Sequence, residues 1–310
     1  MVATTESHNR STQTEPLHLE TTNLEIQNIL VATDYSEAAH QALQAAIAIA
    51  GNYGSNILLA HASFSSNFAA GEGVIPPEFL VDQLAEDKQQ MQDLVADHPG
   101  LTKMHVDTVV EYADPVALIE RLVQTNAIDL VVVGSQGLSG LERLALGSVA
   151  ESIVYNITLP VLIMGPHAHN EVEPFRSILL ATNLSSTGLR PAQYASSLAE
   201  RFHSQLLVVH VIEEPLKSLA IQSEIETRLL QDMRSLLPKD ADLSCHPQFR
   251  VEHGTPAERI VETARSVNAS LLVVGARRVG ALADHLPWLT LSKVIREAGC
   301  GVLAIRNRLI

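Results

Sequence analysis

At 310 residues the chain is long for a single domain, and its 46% hydrophobic and 18% charged residues are typical of a soluble globular protein. The chain has 21 Lys and Arg residues and 35 Asp and Glu residues, which gives a net charge of −14. Because the basic residues form no cluster, this charge argues against nucleic acid or an anionic membrane as a partner. The two cysteines form no Cys-x-x-Cys pair and no apolar run reaches the ~18 residues that span a bilayer, so we expect a cytoplasmic protein.

The first 25 residues are rich in Thr, Ser and Glu. They contain no apolar segment of the kind found in secretory signals. Because such a composition cannot bury enough apolar surface to become ordered, we expect a mobile tail over residues 1–25.

After this segment, apolar runs alternate with amphipathic stretches. The runs predict strands buried on both faces, as in a parallel sheet, at Ile29–Ala32, Ile57–Ala60, Leu130–Val133 and Val161–Met164, with a weaker strand within MHVDTVVEY. Helices are predicted over Ser36–Ala50, Phe79–Ala96 and Pro115–Gln124. The alternation predicts a doubly wound, Rossmann-like α/β domain with a five-stranded parallel sheet flanked by helices.

The second half of the chain repeats the first. Ile29–His61 aligns without a gap with Ile178–His210, and DPVALIERLVQTNAIDLVVVGSQG aligns with TPAERIVETARSVNASLLVVGARR. Each copy is long enough to bury its own core, so we predict two tandem domains of this kind, over residues 26–166 and 175–310. The polar, proline-bounded segment 167–174 is the expected linker.

Two segments of the first half are candidates for a site, because ligands bind open parallel sheets at the carboxyl ends of strands. Thr33 and Asp34 follow the first strand, and the fourth strand ends at Gly134, where a glycine-containing loop begins. Glycine allows backbone N–H groups to come close to phosphate oxygens. Ser148 then begins a helix whose N-terminus favours an anion, and Asp34 is suited to accept hydrogen bonds from a ribose diol.

These features also have interpretations that need no ligand. Asp34 could cap the helix that follows it, and SVAE, residues 148–151, forms a complete capping box. Neither a Walker lysine motif nor Gly-x-Gly-x-x-Gly occurs, which excludes those two nucleotide sites. The combination of a strand-end aspartate, a glycine loop and a helix-start serine at one sheet edge favours a nucleotide.

The spacing Gly134-x2-Gly137-x9-Gly147-Ser148 resembles the ATP-binding signature of the universal stress protein family. LVATDYSE, ILLAHA and IDLVVVGSQG resemble other blocks of that family, and the resemblance covers roughly Leu24–Pro166 and Phe175–Arg308. It implies a tandem universal stress protein whose first half binds ATP with Mg²⁺, or another adenine nucleotide.

By that resemblance the site residues fall into two groups. The group around the adenosine, in which Ala62 borders the adenine, is Ala32, Thr33, Asp34, Ala62, Val133 and Gly134. The group that holds the phosphates is Gly137, Gly147, Ser148 and Val149. Arg143 lies within the loop and could reach a phosphate; an exposed, solvated arginine is the alternative.

In the second half this pattern is degenerate. Gly134 is kept as Gly275, whereas Asp34, Gly137, Gly147 and Ser148 are replaced by Asn183, Arg278, Trp288 and Leu289. Trp288 would place a large side chain where the backbone must approach a phosphate. We therefore expect no ATP there and assign this half a scaffolding or regulatory role, with an anion held by Arg277 and Arg278 as an alternative.

The 13 histidines do not predict a metal site or a catalytic residue. Cys245, His246 and His253 lie nearest one another, and their spacing fits no compact zinc motif. His61 and His210 occupy equivalent strand ends in both halves. Because the second half lacks the glycine loop, this equivalence favours a structural hydrogen bond over catalysis.

Three functions follow from the sequence. The favoured one is an ATP-binding regulatory protein of the stress response, in which nucleotide occupancy alters domain packing or the affinity for an unknown protein partner. The alternatives are a slow ATPase or phosphotransferase and an interaction protein with a vestigial site. By the resemblance, the two domains pair through their last strands, PVLIM and GVLAI, and a homodimer of chains is a further expectation.

Overall fold

The computed structural model describes residues 24–63, 77–135, 146–165, 168, 175–185, 188–213, 219–238, 246–276 and 285–306. The expected tail, apart from its last two residues, and nearly all of the expected linker lie outside this range. In the first half the elements are β1 Asn28–Ala32, α1 Glu37–Tyr53, β2 Asn56–Ala62, α2 Pro77–Ala96, β3 Val106–Glu111, α3 Pro115–Thr125, β4 Leu130–Gly134, α4 Ser148–Asn156 and β5 Val161–Met164.

The second half follows the same order. Its elements are β6 Ser177–Ala181, α5 Leu189–Phe202, β7 Gln205–Ile212, α6 Leu219–Ser235, β8 Gln248–His253, α7 Pro256–Ser266, β9 Leu271–Ala276, α8 His285–Glu297 and β10 Gly301–Arg306. The predicted alternation is confirmed, including the weak third strand, which is β3. None of the helices in the described ranges is long and apolar enough to cross a bilayer.

The ten strands of the described chain form one sheet, in the order β3-β2-β1-β4-β5-β10-β9-β6-β7-β8. Pairing is parallel within each half. The halves join through β5 and β10, which are antiparallel with Leu303 opposite Leu162. The predicted pairing of the last strands is thus confirmed, and it leaves neither of these strands as a free edge.

The duplication is visible in individual hydrogen bonds. The buried hydroxyl of Ser55, which precedes β2, donates to the carbonyl of Ile26, and Ser204 makes the same bond to Phe175 before β7. These pairs are related by the alignment read from the sequence. The two halves therefore share details of loop conformation as well as their order of elements.

Helices cover both faces of the sheet and bury a core on each. One core packs α1, α2, α5 and α6 against the sheet, with Ala42, Met91 and Met233 among its buried residues. The other core lies under α3, α4, α7 and α8, with Ile153 and Val294 among its residues. Both cores run across the junction between β5 and β10 without interruption, so the two halves are packed together rather than merely tethered.

The junction contains two contacts between the halves that leave little room for change. A Cβ atom built on Gly165, just after β5, would lie 2.7 Å from the backbone oxygen of Ile295 in α8. The guanidinium of Arg306, at the end of β10, donates to the backbone carbonyl of Tyr155 in α4. Helices of each half are therefore fixed to strands of the other.

We expect Gly165→Ala to lower the free energy of unfolding by about 1–3 kcal/mol, because the added methyl group forces α8 away from β5. Gly51→Ala is the matched control: Gly51 lies in α1 with nothing within 4 Å of a Cβ, so the change should stabilise by roughly 0.5–1 kcal/mol. Urea denaturation followed by circular dichroism measures both. Equal effects at the two positions would contradict the close contact at Gly165.

Candidate functional site

The described chain has a cavity of about 210 Å³ at the carboxyl ends of β1 and β4. In the order β3-β2-β1-β4-β5 the direction of winding reverses between these two strands, which is where open parallel sheets bind ligands. The first turns of α3 and α4 complete the walls. Most of the expected site residues line this cavity, namely Ala32, Thr33, Asp34, Ala62, Val133, Gly134, Gly147, Ser148 and Val149. Gly137 and Arg143 lie outside the described residues.

The turn after β1 holds its polar groups at the cavity by local hydrogen bonds. Thr33 Oγ1 accepts a hydrogen bond of 3.1 Å from the Tyr35 N–H, and Asp34 Oδ1 accepts one of 3.0 Å from the Ser36 N–H. Tyr35 has a φ of 63°, in the left-handed region that non-glycine residues seldom adopt. The N-cap of α1 is Ser36, whose Oγ accepts from the Ala39 N–H, so the interpretation of Asp34 as the helix cap is wrong.

The first turn of α4 directs backbone N–H groups at the same cavity. Gly147 is the N-cap, without a side-chain hydrogen bond, and Ser148 is the first helical residue. The predicted capping box is therefore not formed, because it requires Ser148 at the N-cap. The amides of Ser148, Val149 and Ala150 have no acceptor among the described residues, since the first intrahelical bond runs from Glu151 to Gly147.

Gly147 contributes to the cavity by its lack of a side chain, because its N–H group is already hydrogen-bonded. Its N–H donates a 2.7 Å hydrogen bond to the carbonyl of Ser135, and its φ of −60° is open to any residue. Glycine at this position therefore leaves the space beside the cavity free of a side chain. The bond to Ser135 fixes where α4 begins.

Gly134 has a packing role that the sequence did not predict. A Cβ atom at this position would lie 2.8 Å from the carbonyl carbon of Ala38 and 2.9 Å from the nitrogen of Ala39. The absence of a side chain thus lets the start of α1 rest directly on the end of β4. Gly134 lines the cavity, but the need for glycine at this position comes from the close contact with α1.

Ser135 is a cavity residue that sequence reasoning missed. Its side chain is buried, its N–H donates to Met164 on β5, and its hydroxyl has no partner among the described residues. A buried hydroxyl without a partner is costly, so a ligand that bonds it would recover this cost. The sequence did hold a signal: the aligned residue in the second half is Ala276.

His61 and His210 make the same structural hydrogen bond. Nδ1 of His61 lies 2.8 Å from the Thr33 carbonyl, and Nδ1 of His210 lies 2.9 Å from the Thr182 carbonyl, which confirms the predicted structural role. Because a carbonyl only accepts, the proton is on Nδ1 in both rings.

A small polar network connects His61 to α2. Nε2 of His61 lies 3.6 Å from Asp87 Oδ2, and the Tyr35 hydroxyl donates a 3.0 Å hydrogen bond to the Asp87 carbonyl. Burial, with a smaller contribution from the charge of Asp87, raises the pKa of Tyr35, so its phenol remains neutral. The turn after β1 is thereby held to β2 and to α2.

The second half has a cavity of about 260 Å³ at the equivalent place, between the ends of β6 and β9. Its helix differs: α8 begins at His285, one turn before Leu289, the counterpart of Ser148. The amide of Leu289 is therefore inside the helix, where N–H groups bond to carbonyls of the preceding turn. The side chain of Trp288 lies outside the described residues, as do Arg277 and Arg278.

Comparison with known proteins matches the universal stress protein family twice, over residues 25–165 and 174–306. The chain belongs to this family. A universal stress protein of Mycobacterium tuberculosis is 28% identical over 216 residues, which cover 66% of this chain and 70% of the relative. One from Synechocystis is 30% identical over 150 residues, covering 44% of this chain and 96% of the relative.

One solved structure of the family matches nearly the whole chain. The crystal structure of a universal stress protein from Archaeoglobus fulgidus superposes with a TM-score of 0.65 and covers 90% of this chain and 98% of its own. Its sequence identity is 19%, so the similarity establishes the fold. The chain is thus a tandem universal stress protein with two Rossmann-like domains.

Within the described residues of this universal stress protein, no group of three or more His, Cys, Asp or Glu side chains is placed to hold a metal ion. His253 lies 2.9 Å from Glu226 Oε1, while Cys245 is outside the described range. The hydrogen bond from Gln222, followed by that from His253, lowers the pKa of Glu226. His253 is therefore a hydrogen-bond partner of Glu226.

We expect His61→Leu and His210→Leu each to lower the free energy of unfolding by about 1–2 kcal/mol, because each leaves a strand-end carbonyl without its donor. His105→Leu is the control, since that side chain is 66% exposed and should change stability by less than about 0.5 kcal/mol. Urea denaturation compares the three variants. A loss confined to His61→Leu would contradict a shared structural role.

Proposed function

We propose that the first half of this universal stress protein binds ATP, or a related adenine nucleotide, and that occupancy regulates the protein. One observation supports this above the others. The cavity brings together three helix N-terminal amides and the buried hydroxyl of Ser135, none of which has a hydrogen-bond partner among the described residues. These groups are suited to an anionic ligand that also accepts hydrogen bonds, and the spacing of the glycines resembles the family's ATP signature.

The cavity has a place for each part of such a ligand. Apolar side chains, including Ala62, Leu118 and Val133, offer the surface on which a base would lie. Asp34 has one carboxylate oxygen bonded to the Ser36 N–H and the other available for a ribose diol. The phosphates would face the first turn of α4, where the helix dipole favours negative charge.

Magnesium would enter with the nucleotide rather than occupy a site of its own. Mg²⁺ keeps several waters and uses phosphate oxygens as ligands, so it needs few protein groups. The chemistry that Mg²⁺ supplies is neutralisation of charge on the phosphates.

Regulation is favoured over turnover by the chemistry of the cavity walls. Phosphoryl transfer needs a metal-phosphate clamp and a group that orients the nucleophile. Asp34 is the one ionisable side chain among the described lining residues, and half of its carboxylate is already bonded to the backbone. A slow ATPase or phosphotransferase remains the alternative function.

Helix α4 provides a route from the nucleotide to the second half. Its first turn lines the cavity, and the Tyr155 carbonyl in its last turn accepts a hydrogen bond from Arg306 on β10. The neighbouring Ser135 N–H donates to Met164 on β5, which pairs with β10. A ligand that shifts α4 would therefore act on the packing of the two halves. We propose that this change in packing alters the affinity for a protein partner.

A homodimer, if formed, would use another surface than the last strands, since β5 and β10 pair within the chain. The outer strands of the sheet carry charged side chains, Asp107 and Glu111 on β3 and Arg250 and Glu252 on β8. Charges on an edge strand oppose sheet-to-sheet extension. We therefore place any chain-to-chain contact on a helical face.

Isothermal titration should give one ATP per chain. Ser135→Ala should weaken that binding about fivefold to tenfold, because the ligand loses one hydrogen bond worth about 1 kcal/mol. Ser63→Ala is the matched control: its hydroxyl is also buried without a partner in the described chain, and Ser63 does not line the cavity. Equal weakening by both changes, or two ATP per chain, would contradict the proposed site.

With saturating ATP and Mg²⁺ we expect phosphate release far slower than the ~1 s⁻¹ of ordinary enzymes, because the described walls supply no base. A coupled phosphate assay measures the rate. Asp34→Asn should weaken ATP binding and leave any residual rate per bound nucleotide unchanged. Turnover of about 1 s⁻¹ that is lost in Asp34→Asn would favour the ATPase alternative instead.

A further inference from the structure

We propose that the cavity of the second half binds an uncharged nucleoside, a ligand with a base and a ribose but no phosphate. The inference rests on the proposed nucleotide function of the first half, from which this cavity was duplicated. It concerns a separate site, between the ends of β6 and β9. Three observations on the described residues carry it.

The first observation is that the base-and-ribose end of the cavity is kept. Thr182 Oγ1 accepts a 3.1 Å hydrogen bond from the Leu184 N–H, as Thr33 does from Tyr35, and Leu184 has the same left-handed backbone with a φ of 57°. Asn183 Oδ1 accepts from the Ser185 N–H at 3.2 Å, in the position of Asp34. The turn that would face a ribose is therefore intact.

The second observation is that the groups suited to phosphate are replaced. Helix α8 begins at His285, so the amide of Leu289 lies within the helix instead of at its free end. The Ser135 hydroxyl, which is buried at the first cavity without a partner among the described residues, corresponds to the apolar Ala276 here. The described walls thus lose donors that only an anion or another acceptor would satisfy.

The third observation is the sign of the charge. Glu213 follows β7, is exposed and lines the cavity. Its carboxylate would repel a phosphate group close to it, and Asn183 has an amide in place of the Asp34 carboxylate, which adds an N–H₂ donor. Asn183 Oδ1 already accepts from the N–H and the hydroxyl of Ser185, so its N–H₂ group is the donor that Asn183 offers to a ribose oxygen.

The volume also fits this ligand class. The second cavity, at about 260 Å³, is larger than the first, at about 210 Å³, and its walls include Val209, Ile260 and Leu291. A planar base gains from burial against such side chains. The second cavity lacks the protein groups suited to phosphate but has kept its volume. A cavity that had simply collapsed would have lost its volume as well.

A matched pair of variants separates the two cavities. Ala62 and Val211 are equivalent positions, opposite Glu111 and Glu252 in the neighbouring strands, and each lines its own cavity. Ala62→Trp fills the first cavity and Val211→Trp fills the second. The full chain and both variants are titrated calorimetrically with ATP and with adenosine, guanosine, cytidine and uridine, and circular dichroism verifies that each variant is folded.

We expect Ala62→Trp to lose ATP binding and to keep one site for at least one of the four nucleosides. The affinity of that site for the nucleoside should be about tenfold higher than its affinity for the corresponding triphosphate. Val211→Trp should lose that site and keep one ATP per chain. Absence of nucleoside binding in Ala62→Trp, or its persistence in Val211→Trp, would overturn the inference. One ATP per wild-type chain would still support the first site, so the two proposals fail separately.

Glu213→Gln tests the charge argument without altering the core, because the side chain is exposed. In the Ala62→Trp background it should reduce the preference for the bound nucleoside over its 5′-monophosphate by about fivefold. Substitution of Glu224, an exposed carboxylate on α6 that does not line the cavity, is the control. An unchanged preference in Glu213→Gln would overturn the exclusion of phosphate.

Discussion

Crossovers between parallel strands are right-handed, and this constraint creates the cavity between the ends of β1 and β4 and the one between the ends of β6 and β9. Because β1 connects onward to β2 on one side while β4 connects to β5 on the other, the chains leaving β1 and β4 diverge and leave a space between them. The same reversal occurs between β6 and β9. The polar groups of the site are simply those at the strand ends and at the first turn of the helix that enters this space.

Given two equivalent spaces, their chemistry is decided by where one helix begins. In the first half the Gly147 N–H bonds to the Ser135 carbonyl, α4 starts at Ser148, and its first amides face the cavity. In the second half α8 starts a turn earlier, so the corresponding amides are used within the helix. We therefore infer that a shift of one helical turn separates the cavity proposed for an anion from the cavity proposed for a neutral ligand.

The junction between β5 and β10 makes these two cavities parts of one body. Their antiparallel ladder continues the sheet, and both cores pass across it. Gly165 and Ile295 bring a strand of one half against a helix of the other at close range. Helix α4 has one end at the first cavity and the other at Arg306, so a signal about occupancy has a short physical path to the second half.

The sequence by itself determined the fold, the duplication and the sheet edge at which the candidate site lies. Apolar runs such as Leu130–Val133 and the gap-free repeat encode these features locally, because burial on both faces of a strand requires continuous apolar residues. The spacing Gly134-x2-Gly137-x9-Gly147-Ser148 also indicated the universal stress protein family.

Only the tertiary structure decided the helix starts, the reason for Gly134, and the partners of individual hydroxyls. The SVAE capping box was a sound local pattern, and it is not formed, because Gly147 is the N-cap of α4 and its N–H bonds to the carbonyl of Ser135, which follows β4. Likewise Ser135 is polar in the sequence, but the burial of its hydroxyl at the cavity, without a partner in the described part of the chain, depends on how β4, β5 and α4 pack. Such properties are set by contacts between distant segments, which no local pattern contains.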